Sequence, residues 1–171
     1  MRFSAAMVVM LFALSCCSQT VPSTQGKALD GTEIGFPKQN GKPLILMIGF
    51  SHKSSGDFDQ WNKQLLSGYL SDSHVDYYEL TDLAGVPSFI TAMILHGMRR
   101  EIHGAEQSHF VPFYTDENGW KKTVNYAASD NTYLVVADSA GQIVWQTHGV
   151  PSEEKISELK SSVEKLTAVK Q

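Results

Sequence analysis

Two short apolar runs, Tyr133–Ala137 and Ile143–Trp145, flank the tetrad Asp138-Ser139-Ala140-Gly141. Asp suits the first position of a type I turn and Gly the last, where a positive φ carries no steric cost. The pattern predicts a β-hairpin over Asn131–Gly149, and the other elements can be arranged around it. Leu44–Phe50 is apolar throughout, LILMIGF. An alternating pattern would leave one face wet, so this run predicts a strand covered on both faces. After the polar loop Ser51–Gly56, Phe58, Trp61, Leu65 and Tyr69 recur at three- and four-residue steps. That spacing predicts a helix from near Asp57 with one apolar face.

Further along, Val75–Leu80 reads as a second strand. Pro87 suits the start of a helix, where a missing N–H costs nothing. Ile90, Met93, Ile94 and Met98 form its predicted stripe, and Arg99-Arg100 fall in its last turn, complementing the helix dipole. Phe110–Tyr114 looks extended, but Pro112 demotes it to an edge or a loop. Trp120, Val124 and Ala127 predict one short helix. A last helix starts near Ser152, with Glu153 and Glu154 in its first turn and the stripe Ile156, Leu159, Val163, Leu166. At the start of the domain, Asp30-Gly31 between Lys27 and Pro37 predicts a small hairpin or an extended lead-in, and Asn40-Gly41-Lys42-Pro43 another turn.

The order is strand, helix, strand, helical insert, antiparallel hairpin, helix. It resembles the thioredoxin-like layout from about Pro43 to Leu166. Leu134-Val135-Val136-Ala137-Asp138 and Gly141-Gln142-Ile143-Val144 resemble the last two strands of that fold. The resemblance implies an α/β fold: a central mixed sheet flanked by helices, with the helical insert between the second and third core strands.

Composition changes this picture little. With 171 residues, 42% hydrophobic and 19% charged, the chain suits one domain with its own core. A net charge of −4 gives no general attraction to nucleic acid or anionic lipid. The N-terminus adds more. Met1-Arg2-Phe3-Ser4 is a short positive start, Ala5–Leu14 a compact apolar run, and small residues follow. That is the layout of an export signal, expected over residues 1–15. Ala13-Leu14-Ser15-Cys16-Cys17 also resembles a bacterial lipoprotein signal. Cys16 has a small residue before it, and Cys17 has a leucine three residues upstream. Cys16 is the preferred lipidation site and Cys17 the alternative; a third possibility is plain cleavage after Ser15, leaving a soluble periplasmic or secreted protein. Residues 16–26, with the polar stretch Ser18–Gln25, read as a tether, and residues 27–171 as the domain.

Both cysteines lie in this leader. The domain therefore has no Cys-x-x-Cys, no internal disulfide and no thiolate nucleophile. In thioredoxin-like enzymes the reactive cysteine follows the first core strand, and a proline, usually cis, precedes the third. Here Ser51-His52-Lys53-Ser54-Ser55-Gly56-Asp57 and Asp130-Asn131-Thr132 stand in those places. Standard thiol redox activity is not expected, and the stretch containing Ser51, His52, Ser54, Ser55 and Asp57 reads as a vestigial active-site loop. A serine nucleophile with His52 as base needs an oriented base and an oxyanion site, which the spacing does not supply. A serine-rich loop with a helix cap is the preferred reading. His96, His103 and His109 cluster in and after the insert helix, but their gaps do not put two ligands on one helical face. No metal site and no cofactor are expected, and no catalytic residue is assigned. The three tryptophans sit on stripes that should face the core.

A narrower resemblance covers the C-terminal part. Asn131, Tyr133, Val136-Ala137-Asp138, Ile143-Val144-Trp145 and Gly149 before Ser152-Glu153-Glu154 follow the order of a signature in the mitochondrial ATP-synthase assembly-factor family that chaperones the Fo sector. Val144 stands where that family has Arg, and Thr132 where it tends to have Gly. The insert helix ending in Arg99-Arg100, with His109 beyond it, is similar to the stretch before the signature. Together with the missing cysteines and proline, the resemblance implies a non-catalytic protein with a protein partner, acting as an assembly factor or chaperone; the lipoprotein-like signal implies export and a lipid anchor in the membrane. Arg99, Arg100, His109 and Asn131 are the candidate partner contacts. For the two arginines, capping of the helix end is the plainer reading. The alternatives are an enzyme with a relocated active site and a metal- or ligand-binding module of the envelope.

Overall fold

The computed structural model describes residues 19–69 and 72–168. The expected export signal, Cys16 and Cys17 lie outside the described residues.

β1 (Thr24–Lys27) and β2 (Glu33–Phe36) form the small antiparallel hairpin expected near Asp30-Gly31. Its turn is closed by Asp30 Oδ1, which accepts from the Thr32 N–H at 2.8 Å. β3 (Leu44–Gly49) is buried at every position, as the unbroken apolar run requires. It is the middle strand of a five-stranded sheet, in the order β5-β4-β3-β6-β7. β4 (Asp76–Asp82) and β5 (Phe110–Phe113) run parallel to it. β6 (Thr132–Ala137) and β7 (Ile143–His148) form the expected hairpin and run antiparallel. Gly141, at φ +82°, closes the turn by donating to Asp138 O at 3.0 Å.

Strand alternation sorts the core into two layers. Ile45, Met47, Tyr77, Leu134 and Val136 face α1 (Ser55–Gln64) and α4 (Glu153–Ala168), meeting Phe58, Trp61, Leu159 and Val163. Leu44, Leu46, Ile48, Tyr133 and Val135 face the β1–β2 hairpin and α3 (Glu117–Thr123), meeting Ile34, Phe36, Trp120 and Val124. The insert is α2 (Ser88–Glu101) followed by β5, which confirms Phe110–Phe113 as an edge strand carrying Pro112. β1 lies against that edge. A Cβ on Gly26 would come within 2.5 Å of Val111 Cγ1 and 3.1 Å of Pro112 O, so only glycine lets the hairpin approach this closely.

Three expectations need correction. The tether expected over 16–26 does not extend through the described residues: Thr20 bridges Gln142, Val21 is buried, and Thr24 opens β1. Polar composition hid a segment held by backbone pairing. The short helix expected to reach Ala127 ends at Thr123, where Asn125 turns to φ +51° and leaves Ala127 exposed. The α2 stripe is narrower than expected. Ile90, Ile94 and Met98, at i, i+4 and i+8, are half-buried, but Met93 points outward beside Phe89; these two are 68% and 75% exposed. α2 buries no side chain fully, though Thr91 and Leu95 are half-buried beside that line.

Candidate functional site

The central strand ends at Gly49, and the chain turns through Phe50 into a one-turn 3-10 helix, His52–Ser54, that runs straight into α1. Ser51 caps this turn, its Oγ accepting from the Lys53 N–H at 3.2 Å. Ser54 is buried, and its Oγ donates to Ser51 O at 2.8 Å. Glycine is required at 49, because a Cβ there would meet Ser54 Oγ at 2.5 Å and the Phe58 ring at 2.9 Å. His52 and Ser55 are exposed, and Asp57 sits in the first turn of α1, where a carboxylate complements the helix dipole. Ser54 gives its hydroxyl proton to a backbone carbonyl rather than to His52, which is not the geometry of a nucleophile and its base.

Opposite this turn lies the segment leading into β6. Ser51 Oγ donates to Ser129 O at 3.0 Å, and Thr132 Oγ1 donates to Ser54 O at 2.9 Å. Lys53 pairs with Asp130 at 3.3 Å across exposed surface. The hydroxyl of Ser129 and the Lys53 ammonium hold the Asp130 carboxyl below its usual range. Tyr133 fixes the same segment from below: its OH accepts from the N–H groups of Ala127 and Ala128 at 2.8 and 2.9 Å and donates to Ala128 O. The two places where a thioredoxin-like enzyme carries its cysteines and its proline are thus tied together by hydroxyl bonds. The spacing Ser51-x-x-Ser54 equals that of a Cys-x-x-Cys pair, a match that reading the stretch simply as a serine-rich loop missed.

A second polar cluster was not visible in the sequence. Glu79 Oε1 accepts from Asn62 Nδ2 and from Tyr77 OH, both at 2.8 Å, joining α1 to β4. Burial, then the Glu79 charge, pushes the Tyr77 phenol well up. Burial likewise raises the Glu79 carboxyl above its ordinary 4.5, against the Asn62 and Tyr77 hydrogen bonds that lower it. Folded Glu79 therefore holds its proton more tightly than unfolded Glu79. Stability should fall as pH rises from near 4.5 to the folded pKa, and stay level above it. Glu79→Gln is expected to melt higher than the parent at pH 7, with the gain shrinking as pH drops toward 4.5. Thermal melts across that range check this, and a variant that melts lower at pH 7 would overturn it.

Arg99 and Arg100 lie in the last turn of α2, and His109 stands just before β5. Arg99 Nε donates to Leu29 O at 3.0 Å, and Arg100 is exposed. His109 Nδ1 donates to Tyr77 O at 2.7 Å, and its ring packs on Tyr77 and Tyr78, which makes it a fixed, half-buried group. Asn131 lies apart from them, beside the Ser51–Ser54 turn at the start of β6. His96 and His103 are exposed. Among the described residues, no three His, Cys, Asp or Glu side chains converge on a point that could hold a metal ion.

The central mixed sheet, the helices on both faces and the α2–β5 insert define a thioredoxin-like fold, and solved structures share it. A candidate protein disulfide isomerase from Bacteroides thetaiotaomicron superposes with a TM-score of 0.59 at 13% identity, over 88% of this chain and 89% of that one. The pneumococcal exposed lipoprotein thioredoxin of Streptococcus pneumoniae gives 0.54 at 13%, over 82% and 99%. BsSco, a member of the Sco family of cytochrome c oxidase assembly proteins, gives 0.58 at 9%, over 90% and 96%. No family model matches the sequence, and no curated protein matches it. At these identities the shared property is the fold.

Proposed function

We propose that this protein is a non-catalytic, exported thioredoxin-like domain that binds another protein, in an assembly-factor or chaperone role, and is held in the cell envelope by a lipid on Cys16 or Cys17. One observation supports the non-catalytic reading: the turn after the central strand, where a thioredoxin-like enzyme carries its reactive cysteine, holds serines instead, and the Ser51 and Ser54 hydroxyls donate to the carbonyls of Ser129 and Ser51. No cysteine follows Cys17 to take over the chemistry. The assembly role is favoured by the resemblance of Asn131–Glu154 to the Fo assembly factors. BsSco, on the same fold, belongs to a family of assembly proteins.

The outward line of α2 suits a protein partner. Phe89, Ala92 and Met93 lead to His96 and Arg100, all exposed, at steps that keep them on one side of the helix. Apolar anchors followed by a cation fit a partner helix whose apolar face ends in carboxylates. Among the described residues no helix is long and apolar enough to cross a membrane, so attachment would fall to the lipid. Two measurements on the full chain test this reading. Insulin reduction is expected to stay at background, and turnover above it would overturn the non-catalytic claim. A photocrosslinker at Met93 in the native envelope is expected to give one adduct that Arg100→Glu weakens several-fold, whereas an adduct indifferent to that charge would move the partner off α2.

A further inference from the structure

We propose that the outer edge of β7 is the surface this domain turns toward a phospholipid bilayer. The proposal rests on the lipid-anchor reading and adds an orientation to it. Gln19, the first described residue, is already fixed to the fold. Its carbonyl accepts from the Ile143 N–H at 2.8 Å, and its side-chain Oε1 accepts from Gln146 Nε2 at 3.2 Å. Val21 N–H donates to Gly141 O at 2.9 Å, and Thr20 forms an antiparallel bridge with Gln142. Cys16 is three residues before Gln19 and Cys17 two. A residue spans at most about 3.6 Å of extended chain, so whichever cysteine is acylated lies within about 11 Å of Gln19 along any path. An acylated cysteine sits at the headgroup level. The leash is therefore too short to let the domain tumble freely, and the element it leaves from lies nearest the lipid.

That element is suited to the place. Beyond the stretch paired with Gln19–Val21, β7 is, among the described residues, an edge strand with no partner strand in the sheet. Its sequence, IVWQTH, has no Lys, Glu or Pro of the kind that usually guards an exposed edge. Val144 and Val150 expose about half their surface, 48% and 50%; Trp145, on the opposite face of the strand from Val144, is half-buried against the α4 layer, where its Nε1–H donates to Glu158 Oε2 at 3.1 Å. The two valines offer apolar surface to a lipid boundary, and a tryptophan at the rim of the sheet is favourable at headgroup level. The sheet order puts β5 four inter-strand steps away, roughly 19 Å across the sheet. α2, which joins β4 to β5, is then held on the side away from the lipid, with Phe89 and Met93 open to a partner in the aqueous phase.

The full chain, matured in a lipidating bacterial host and reconstituted in phosphatidylcholine–phosphatidylglycerol vesicles, gives a direct readout. Trp61 and Trp120 are fully buried and act as an internal reference. A phospholipid carrying a nitroxide on its headgroup is expected to quench the Trp145 share, about a third of the emission from the three tryptophans. Trp145→Phe should abolish that loss, as should about ten Gly/Ser residues inserted after Ser18. A tryptophan moved to the far side by Phe89→Trp with Trp145→Phe should stay bright. No quenching in vesicle-bound parent, or equal quenching from position 89, overturns the orientation while the anchor stands. A purified chain that has no acyl mass and does not float with vesicles overturns the anchor and the orientation with it.

Discussion

The pair Ser51→Cys/Ser54→Cys, made in a chain with Cys16 and Cys17 replaced by serine, is expected to close into a disulfide under mild oxidation. The Ser54 N–H donates to Ser51 O at 3.3 Å, closing a 3-10 turn, and such a turn holds its ends within the ~4.4–6.8 Å Cα separation that a disulfide spans. The turn also opens α1, and Lys53 is adjacent, so a thiol there should ionise more readily than a free one. Reduced, the variant loses the Ser51 Oγ bonds to Ser129 O and the Lys53 N–H, and the Ser54 Oγ bond to Ser51 O. At roughly 1 kcal/mol for each net bond, it should be less stable than the parent by about 2–3 kcal/mol. Sulfur is also larger than oxygen and must fit beside Gly49 and Phe58. Oxidation should return part of the loss, about 2 kcal/mol for so short a loop. Thiol titration and paired melts of the two forms test this. Two thiols that remain titratable after treatment with oxidised glutathione would show that the serines do not occupy a disulfide turn.

Trp61→Ala is expected to be the most destabilising single truncation. Trp61 is completely buried, packed among Ile45, Met47, Tyr77, Leu134 and Leu159, and its Nε1–H donates to Gly149 O at 2.8 Å. Truncation leaves a cavity and an unpaired carbonyl together, at a cost of roughly 3–5 kcal/mol. A domain of this size has only about 5–15 kcal/mol in total, so the melting temperature should drop by roughly 6–20 °C. Trp61→Phe keeps most of the volume and loses the hydrogen bond, so about 1–2 kcal/mol is expected. If both variants cost the same, the bond to Gly149 outweighs the packing, contrary to the burial.

Element type was legible wherever periodicity was strong. The unbroken run Leu44–Gly49 and the Asp138–Gly141 turn each admit one structure at short range, and both formed as expected. The α4 stripe was right because all four of its residues meet the sheet. The α2 stripe held at Ile90, Ile94 and Met98 but not at Met93: a helical repeat shows which residues share a side, but not how much of that side finds a partner. At the candidate site, the missing cysteines were plain from composition. The bonds that bridge the two loops were not, because Ser51 and Ser129, or Ser54 and Thr132, are separated by 78 residues.

By itself, the sequence determined the core strands, the main helices and their order, and it left the domain after Cys17 without a thiol, because these depend on neighbours a few positions apart and on residue identity alone. Only the tertiary structure decided that the serine turn is tied to the segment before β6, that Glu79, Tyr77 and Asn62 meet under α1, and that Gln19–Val21 belong to the sheet. Each of these is a pairing between distant stretches of chain. Such pairings are selected by the packing of the whole sheet, where a buried polar group must find its partner or remain unsatisfied.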